Sequence, residues 1–199
     1  MVASVEIFYD NGAGPSGATT TGGSPVNVRF KTDDDNTINT TSPIPIPTLA
    51  AVRRSYWKHL YLKVIGGSFT QIDNIRFYTD GTLWTGTTLY VGTGSAGTAH
   101  LPKKSQHNTS GYDQATGVVG TSGDGLQAGH TLVTAEVDAS TYTSAAPLTV
   151  SISGIKTGET ITSTNDTSDY VVLQLSVASG VGNPGTLTSE TIFFKYDEI

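Results

Sequence analysis

The chain has 199 residues, a length that suits one large all-β domain or two small ones. Its formal net charge is −6 and only 14% of its residues are charged, so it lacks the basic footprint that a nucleic-acid partner usually leaves. The absence of cysteine excludes a disulfide framework, a thiolate metal site and a thiol nucleophile.

The sequence shows no signal for a membrane or for export. No apolar run approaches the roughly 20 residues that span a bilayer. Residues 1–10 lack the basic region and the long apolar run of a secretory signal. We therefore expect synthesis in the cytoplasm and neither a membrane nor a nucleic acid as partner.

Two strands and a polar segment are predicted near the N-terminus. Residues 5–9 place apolar side chains at every second position, which predicts a strand, and residues 26–30 repeat the pattern. Residues 10–25 between them are rich in Gly, Thr and Ser. They are predicted to form a long exposed loop, because they cannot bury enough apolar surface to offset the entropy lost on ordering.

The clearest pattern lies in residues 57–81. Residues 59–64 alternate apolar and polar side chains, which predicts a strand with one buried face and with His59 on its outward face. Gly66 and Gly67 end that strand. Residues 75–79 predict a second strand, so the segment is expected to be a hairpin that other strands must cover.

The remainder of the chain alternates strand patterns with turns. Residues 94–129 are rich in Gly, Ser and Thr, and a segment of this length without strand pattern is usually functional or bound to a partner. Further strands are predicted at 87–93, 131–137, 148–152, 170–177 and 191–196.

These patterns predict an all-β fold. About nine strands with Gly, Pro and Asn turns, and almost no helix signal, indicate a single antiparallel β-sandwich over residues 1–199, jelly-roll-like in its connections. Residues 10–25 and 94–129 are its long Gly/Thr/Ser-rich loops and could be arms that contact a partner.

Metal and catalytic motifs are weak. Asp33, Asp34 and Asp35 offer carboxylates suited to Ca²⁺, but the spacing of an EF-hand loop is missing, and a solvated acidic turn explains them more simply. The four histidines follow no His-Glu-x-x-His pattern, and neither a nucleophile elbow nor a phosphate-binding loop occurs. We expect no cofactor.

Two further groups of residues could form a site. Glu6 and Glu136 are acids borne by strands, and a glycoside hydrolase needs such a pair, although a solvent-facing position explains each of them. Five aromatic residues on or near the central strands can stack on sugar rings, pair across strands or form a subunit interface. They are Trp57, Tyr61, Tyr78, Trp84 and Tyr90.

Six short stretches carry a resemblance. They are Asp-Asp-Asp-Asn at 33–36, Pro-Ile-Pro-Ile-Pro at 43–47, Ser-Tyr-Trp-Lys at 55–58, Asn-Ile-Arg-Phe-Tyr-Thr-Asp-Gly at 74–81, Val-Leu-Gln-Leu-Ser-Val at 172–177 and Lys-Tyr-Asp-Glu at 195–198. In these stretches the chain resembles a group of structural proteins of tailed bacteriophages, some of which decorate or cement the capsid. The resemblance implies a structural role, and no catalytic residue is carried over.

Three functions follow as hypotheses. The first is a capsid decoration or cementing protein on the exterior of the virion, not an enzyme, whose partners are the major capsid protein and its own copies in a homo-oligomer such as a trimer. The second is a glycan-binding module of a phage tail or fibre that uses the outward aromatic residues. The third is a glycoside hydrolase with a carboxylate pair.

Overall fold

The structure, a computed structural model, describes residues 2–11, 19–23, 27–31, 43–44, 53–93, 135–152, 160–179 and 187–199. These residues form ten strands and one short 3₁₀ helix. The strands are β1 (Ala3–Asn11), β2 (Thr19–Gly23), β3 (Arg53–Arg54), β4 (Lys58–Gly67), β5 (Ile72–Thr79), β6 (Thr87–Thr93), β7 (Ala135–Asp138), β8 (Leu148–Thr149), β9 (Val171–Val177) and β10 (Ile192–Glu198), and the 3₁₀ helix is Ala139–Thr141.

The strands form two antiparallel sheets. The large sheet has seven strands, in the order β2-β1-β4-β9-β6-β7 with β3 also paired to β9. The small sheet has three strands, in the order β10-β5-β8. The predicted all-β antiparallel sandwich is therefore confirmed, whereas its jelly-roll connections and its extent as a single domain stay predictions. No helix among the described residues has the length and apolar character that crossing a bilayer requires.

One apolar core lies between the sheets. Leu62 of β4, Leu89 of β6 and Leu173 of β9 meet Ile75 and Phe77 of β5 in a single buried cluster. Each of these side chains is at most 1% exposed. Burial of a side chain of this size stabilises the fold by roughly 1.5–3 kcal/mol, so this cluster holds the two sheets together.

The large sheet also buries its other face. Trp57, Tyr61, Tyr170 and Val172 form a second buried cluster there, and Tyr61 packs edge-on against Tyr170 with 5.4 Å between ring centroids. His59 lies among them and is 1% exposed. The prediction that β4 buries one face only, with His59 outward, is therefore wrong. Aromatic side chains with a polar tip still bury a large ring, and a period of two cannot tell which face is covered.

Two predicted boundaries near the N-terminus are corrected. Residues 10–25 are not a continuous loop, because β1 continues to Asn11 and β2 occupies Thr19–Gly23. Threonine favours a pleated backbone, and the antiparallel partner β1 supplies the hydrogen bonds that this polar segment needs. In the strand predicted at residues 26–30, residues 27–30 have no strand assignment, although Val28 and Phe30 pack against the core, and Val26 lies outside the described residues.

Two segments of the chain, 12–18 and 94–134, begin and end next to residues that are paired in the large sheet. Asn11 lies opposite Thr19 in the β1–β2 pair, and Thr93 lies opposite Ala135 in the β6–β7 pair. These pairs occupy the two edges of the large sheet. Asp10 is level with His59 and Val172, and Val91 is level with Leu173, so the two pairs lie at nearly the same height along the strands. Because β1 and β6 run in opposite directions, residues 12–18 and 94–134, which lie outside the described residues, are connected to opposite edges of the sheet, and the chain leaves the two edges in opposite directions.

Gly67 occupies a close contact with β1. The pairing of β1 with β4 shifts register between Ser4 and Val5, and this shift brings Gly67 opposite Ala3. Gly67 has a φ of 94°, and a Cβ there would lie 2.4 Å from the carbonyl oxygen of Val2. Only glycine fits both the positive φ and the contact with backbone.

We expect Gly67→Ala to lower the free energy of unfolding by about 2 kcal/mol or more, because backbone must move and the left-handed conformation is strained. Gly66→Ala is the matched control, since a Cβ at Gly66 has no atom within 4 Å. It should change the free energy by about 0.5 kcal/mol or less. Urea denaturation of the two variants measures the difference, and equal stabilities would contradict the assignment.

Tyr196 of β10 gives the fold a sensitivity to alkali. Burial raises the pKa of its phenol, and the negative charge of Glu198 raises this pKa further. The folded state therefore holds this proton more tightly than the unfolded state, whose tyrosines have a pKa of about 10. The contribution of the protonated Tyr196 phenol to the free energy of unfolding is complete below pH 10. It is lost as the pH rises from 10 through the pKa that Tyr196 has in the folded state. Denaturation midpoints measured from pH 8 to pH 11 should fall less steeply above pH 10 in Tyr196→Phe than in the parent protein.

Candidate functional site

The outward face of the small sheet carries several partly or fully exposed side chains of different chemistry. In β5 and β10 successive side chains alternate between the core and the solvent, so Phe77 and Phe194 pack edge-on inside with 5.6 Å between ring centroids. Tyr78, Phe193 and Lys195 consequently lie on the other face. This face combines aromatic rings, cations and hydrogen-bonding groups.

A cleft of about 270 Å³ lies on this face. Its lining residues come from β5, from β10 and from the turn before β8, and they are Asn74, Arg76, Tyr78, Ser144, Pro147, Lys195 and Asp197. Small-molecule sites usually enclose about 300–1,000 Å³. The cleft therefore suits one small unit of a longer ligand better than a large ligand held whole.

One end of the cleft is aromatic. Tyr78 stacks on Phe193 across the β5–β10 pair, with 5.0 Å between ring centroids and 12° between ring planes. Phe193 is 38% exposed although it is a large apolar residue. An aromatic pair held by two strands loses little conformational entropy when a ligand packs on it.

The middle of the cleft is positively charged. Arg76 and Lys195 are direct partners in the register of β5 and β10, so two cations lie side by side on one face. Like charges directly opposite each other destabilise a strand pair. Arg76 Nη1 donates to the carbonyl oxygen of Ile75 at 3.1 Å. Neither cation has an ion-pair partner in the described part of the chain.

The other end of the cleft is polar. Asn74 Nδ2 donates to Asp197 Oδ2 at 2.6 Å. Asn74 has a φ of 52°, and the β5–β10 register shifts between Lys195 and Asp197 at the same level. Such an irregularity re-aims a side chain, and here it brings the amide of Asn74 and the carboxylate of Asp197 together on the rim of the cleft.

The five aromatic candidates from the sequence divide into two groups. Trp57 and Tyr61 are each 2% exposed, so neither ring is available to a sugar or to a partner in this fold. Tyr90 is half-buried beneath the Arg54 guanidinium, whose central carbon lies 5.4 Å from the ring centroid. Trp84 is half-buried, and its Nε1 donates to the carbonyl oxygen of Thr188 at 2.6 Å. Tyr78 alone of the five lines the cleft.

Other predicted residues lie elsewhere. Asp33, Asp34 and Asp35 fall outside the described residues, as do His100, His107 and His130. The described residues contain no group of three His, Asp or Glu side chains that could hold a metal ion. Phe193 is a residue that sequence reasoning missed. The strand predicted at 191–196 carries the signal that could have found it, because apolar residues at 192, 194 and 196 facing the core leave Phe193 and Lys195 facing outward.

The two strand-borne acids are far apart. Glu6 lies on β1 and Glu136 on β7, with β4, β9 and β6 between them. Four strand spacings of about 4.8 Å separate them by about 19 Å. The two carboxyl groups of a glycoside hydrolase are at most about 9.5 Å apart. Glu6 and Glu136 therefore cannot act as the pair that the hydrolase hypothesis requires.

Glu136 is instead part of a polar cluster. Arg54 donates to both of its carboxylate oxygens, at 2.7 Å and 3.2 Å, and Arg54 Nη1 also donates to Gln174 Oε1 at 3.3 Å. Gln174 Nε2 donates to the carbonyl oxygen of Ser55 at 3.0 Å. These bonds join β3, β9 and β7, so the role of Glu136 in this fold is structural.

Comparisons with known proteins add no identification, since no protein-family model, curated protein or solved structure matches the chain.

We expect a double-mutant cycle on Arg54→Met and Glu136→Gln to give a coupling free energy of about 1 kcal/mol, because the pair is bidentate and about four-fifths buried. Glu6→Gln is the matched control, a half-buried acid on the same face, and should change stability by about 0.5 kcal/mol or less. Chemical denaturation of the four proteins measures the cycle. A coupling near zero would show that the cluster does not hold β3 in place.

Proposed function

We propose that the protein is a virion structural protein that decorates or cements a capsid shell. Its partners in this proposal are the major capsid protein and neighbouring copies of itself, in a homo-oligomer such as a trimer on the exterior of the virion. The observation that carries the proposal is the connection of two segments poor in large apolar residues, 12–18 and 94–134, to opposite edges of the large sheet, where the chain leaves in opposite directions.

A rigid body with an arm at each of two opposite edges suits a protein that bridges subunits. Residues 12–18 consist of Gly, Ala, Pro and Ser, and residues 94–134 are rich in Gly, Ser and Thr, so both segments have little large apolar surface to bury by themselves. Contact with a neighbouring subunit would offset the cost of ordering them. Two arms on one body also raise the effective concentration of the second contact once the first is made, so weak contacts can add up to firm attachment.

The resemblance to phage structural proteins points in the same direction. Two of its stretches, 74–81 and 195–198, are 114 or more positions apart in sequence yet fall largely on β5 and β10, which are hydrogen-bonded neighbours. These two stretches of the similarity therefore lie on adjacent strands of the small sheet. The sandwich supplies a stiff support, and the proposed role asks for no catalytic group.

Particles purified from the producing host should contain this chain, detected by mass spectrometry, as regular density on the outside of the shell in cryo-electron microscopy. A protein that is absent from purified shells would contradict the proposal.

Two shortened variants test which arm attaches the protein. Because Thr93 lies opposite Ala135, an Asn-Gly turn can replace residues 94–134 and close the β6–β7 hairpin. Because Asn11 lies opposite Thr19, the same turn can replace residues 12–18. We expect both variants to fold, with denaturation midpoints near that of the parent, and to co-sediment with shells at least tenfold less than the parent. Undiminished co-sedimentation of both variants would contradict attachment through the arms.

A further inference from the structure

We propose that the cleft on the small sheet binds a carboxylate-bearing sugar unit of a glycan. This goes beyond a cementing role and does not depend on it, since the cleft lies on the small sheet and the arms extend from the large one. Of the five aromatic candidates for glycan binding, the proposal keeps Tyr78 and adds Phe193. Three properties of the cleft, taken in turn, select this ligand.

The aromatic end suits a pyranose ring. The C–H groups on one face of a sugar ring form an apolar surface, and an aromatic ring is the side chain that matches it in shape. Tyr78 lines the cleft, and its stacking on Phe193 at 5.0 Å fixes the ring in place before any ligand arrives. A preordered ring contributes more binding free energy than a mobile one, because less entropy is lost.

The paired cations select a negative charge. Arg76 and Lys195 repel each other across the strand pair, and a carboxylate seated between them would remove this repulsion and form two charge-assisted hydrogen bonds. The whole chain carries a net charge of −6, so an anion has little reason to approach it except at a local excess of cations.

The polar end reduces the excess positive charge and favours hydroxyl groups. Asp197 offsets one of the two cations, so the cleft has an excess of one positive charge, which a single carboxylate balances. Its carboxylate accepts hydrogen bonds from hydroxyl groups, while Asn74 and Ser144 can both donate and accept. A ring with several hydroxyl groups and one carboxylate satisfies all of these groups at once.

Binding is tested on the isolated protein by titration calorimetry. The acidic probes are tetragalacturonate and sialyllactose, and the neutral partners are fully methyl-esterified tetragalacturonate and lactose, which keep the rings and remove the charge. We expect at least one acidic probe to bind tenfold or more tightly than its neutral partner, and its affinity to fall as salt is raised. A glutamate-rich peptide and inorganic phosphate are expected to bind at least tenfold more weakly than that probe.

Substitutions assign the binding to this cleft. Tyr78→Ala should weaken binding of the acidic probe at least tenfold, and Tyr78→Phe should retain it. Lys195→Gln should remove the preference for the acidic over the neutral probe, and Lys195→Arg should keep it. Arg29→Gln is the matched control, an exposed cation outside the cleft, and should leave binding unchanged. Lys195 is exposed, so Lys195→Gln keeps the test decisive even if Tyr78→Ala fails to fold.

The proposal is overturned if no acidic probe binds at about 5 mM, a concentration above the 1 mM that marks weak affinity. It is also overturned if Lys195→Gln and Arg29→Gln show the same preference for the acidic probe over its neutral partner. Binding of the peptide or of phosphate as tightly as the acidic sugar would overturn it as well. These outcomes are separate from those of the shell experiments, because a protein attached to the capsid can lack the sugar site and a sugar-binding protein can be absent from the shell.

Discussion

The position of β9 in the centre of the large sheet is the constraint on which the rest of the fold depends. All seven residues Val171–Val177 are buried, and β9 pairs with β4 on one side and with β6 on the other. The two halves of the sheet are therefore joined only when the last third of the chain is in place. Because Lys58 pairs with Leu173 across more than a hundred residues, the fold depends on distant contacts, which are entropically costly to form and typical of slow-folding β proteins.

The distribution of surfaces follows from this arrangement. A central strand that is buried on both sides requires cover on both faces of its sheet, and the large sheet accordingly buries the Leu62 face and the Tyr61 face. The small sheet packs against the core with one face only, so its other face keeps the exposed aromatic rings and charges around Tyr78. The proposed attachment to a capsid, through segments connected to the large sheet, and the proposed sugar site, on the small sheet, therefore concern different parts of the molecule.

Much of the fold could be predicted from local patterns, because strand alternation in residues 59–64, 75–79 and 170–177 depends only on which side chains enter the core. The β2 strand could not, since Gly and Thr fill it and its stability comes from its partner β1. The burial of His59 and Tyr61 depends on what lies over the second face, which alternation does not encode. The cleft depends on which residue of β10 lies opposite Arg76, and that register is a property of the sheet rather than of either strand.

The adjacency of Thr93 and Ala135 also bears on how such a chain can change over time. A segment that leaves and re-enters a hairpin at neighbouring positions can lengthen, shorten or be exchanged without altering any pairing in the sheet. Doubling the length of a flexible loop costs only about 0.6 kcal/mol in closure entropy. The β6–β7 turn is thus an insertion point at which new recognition sequences can be acquired or discarded while the supporting scaffold stays under separate selection.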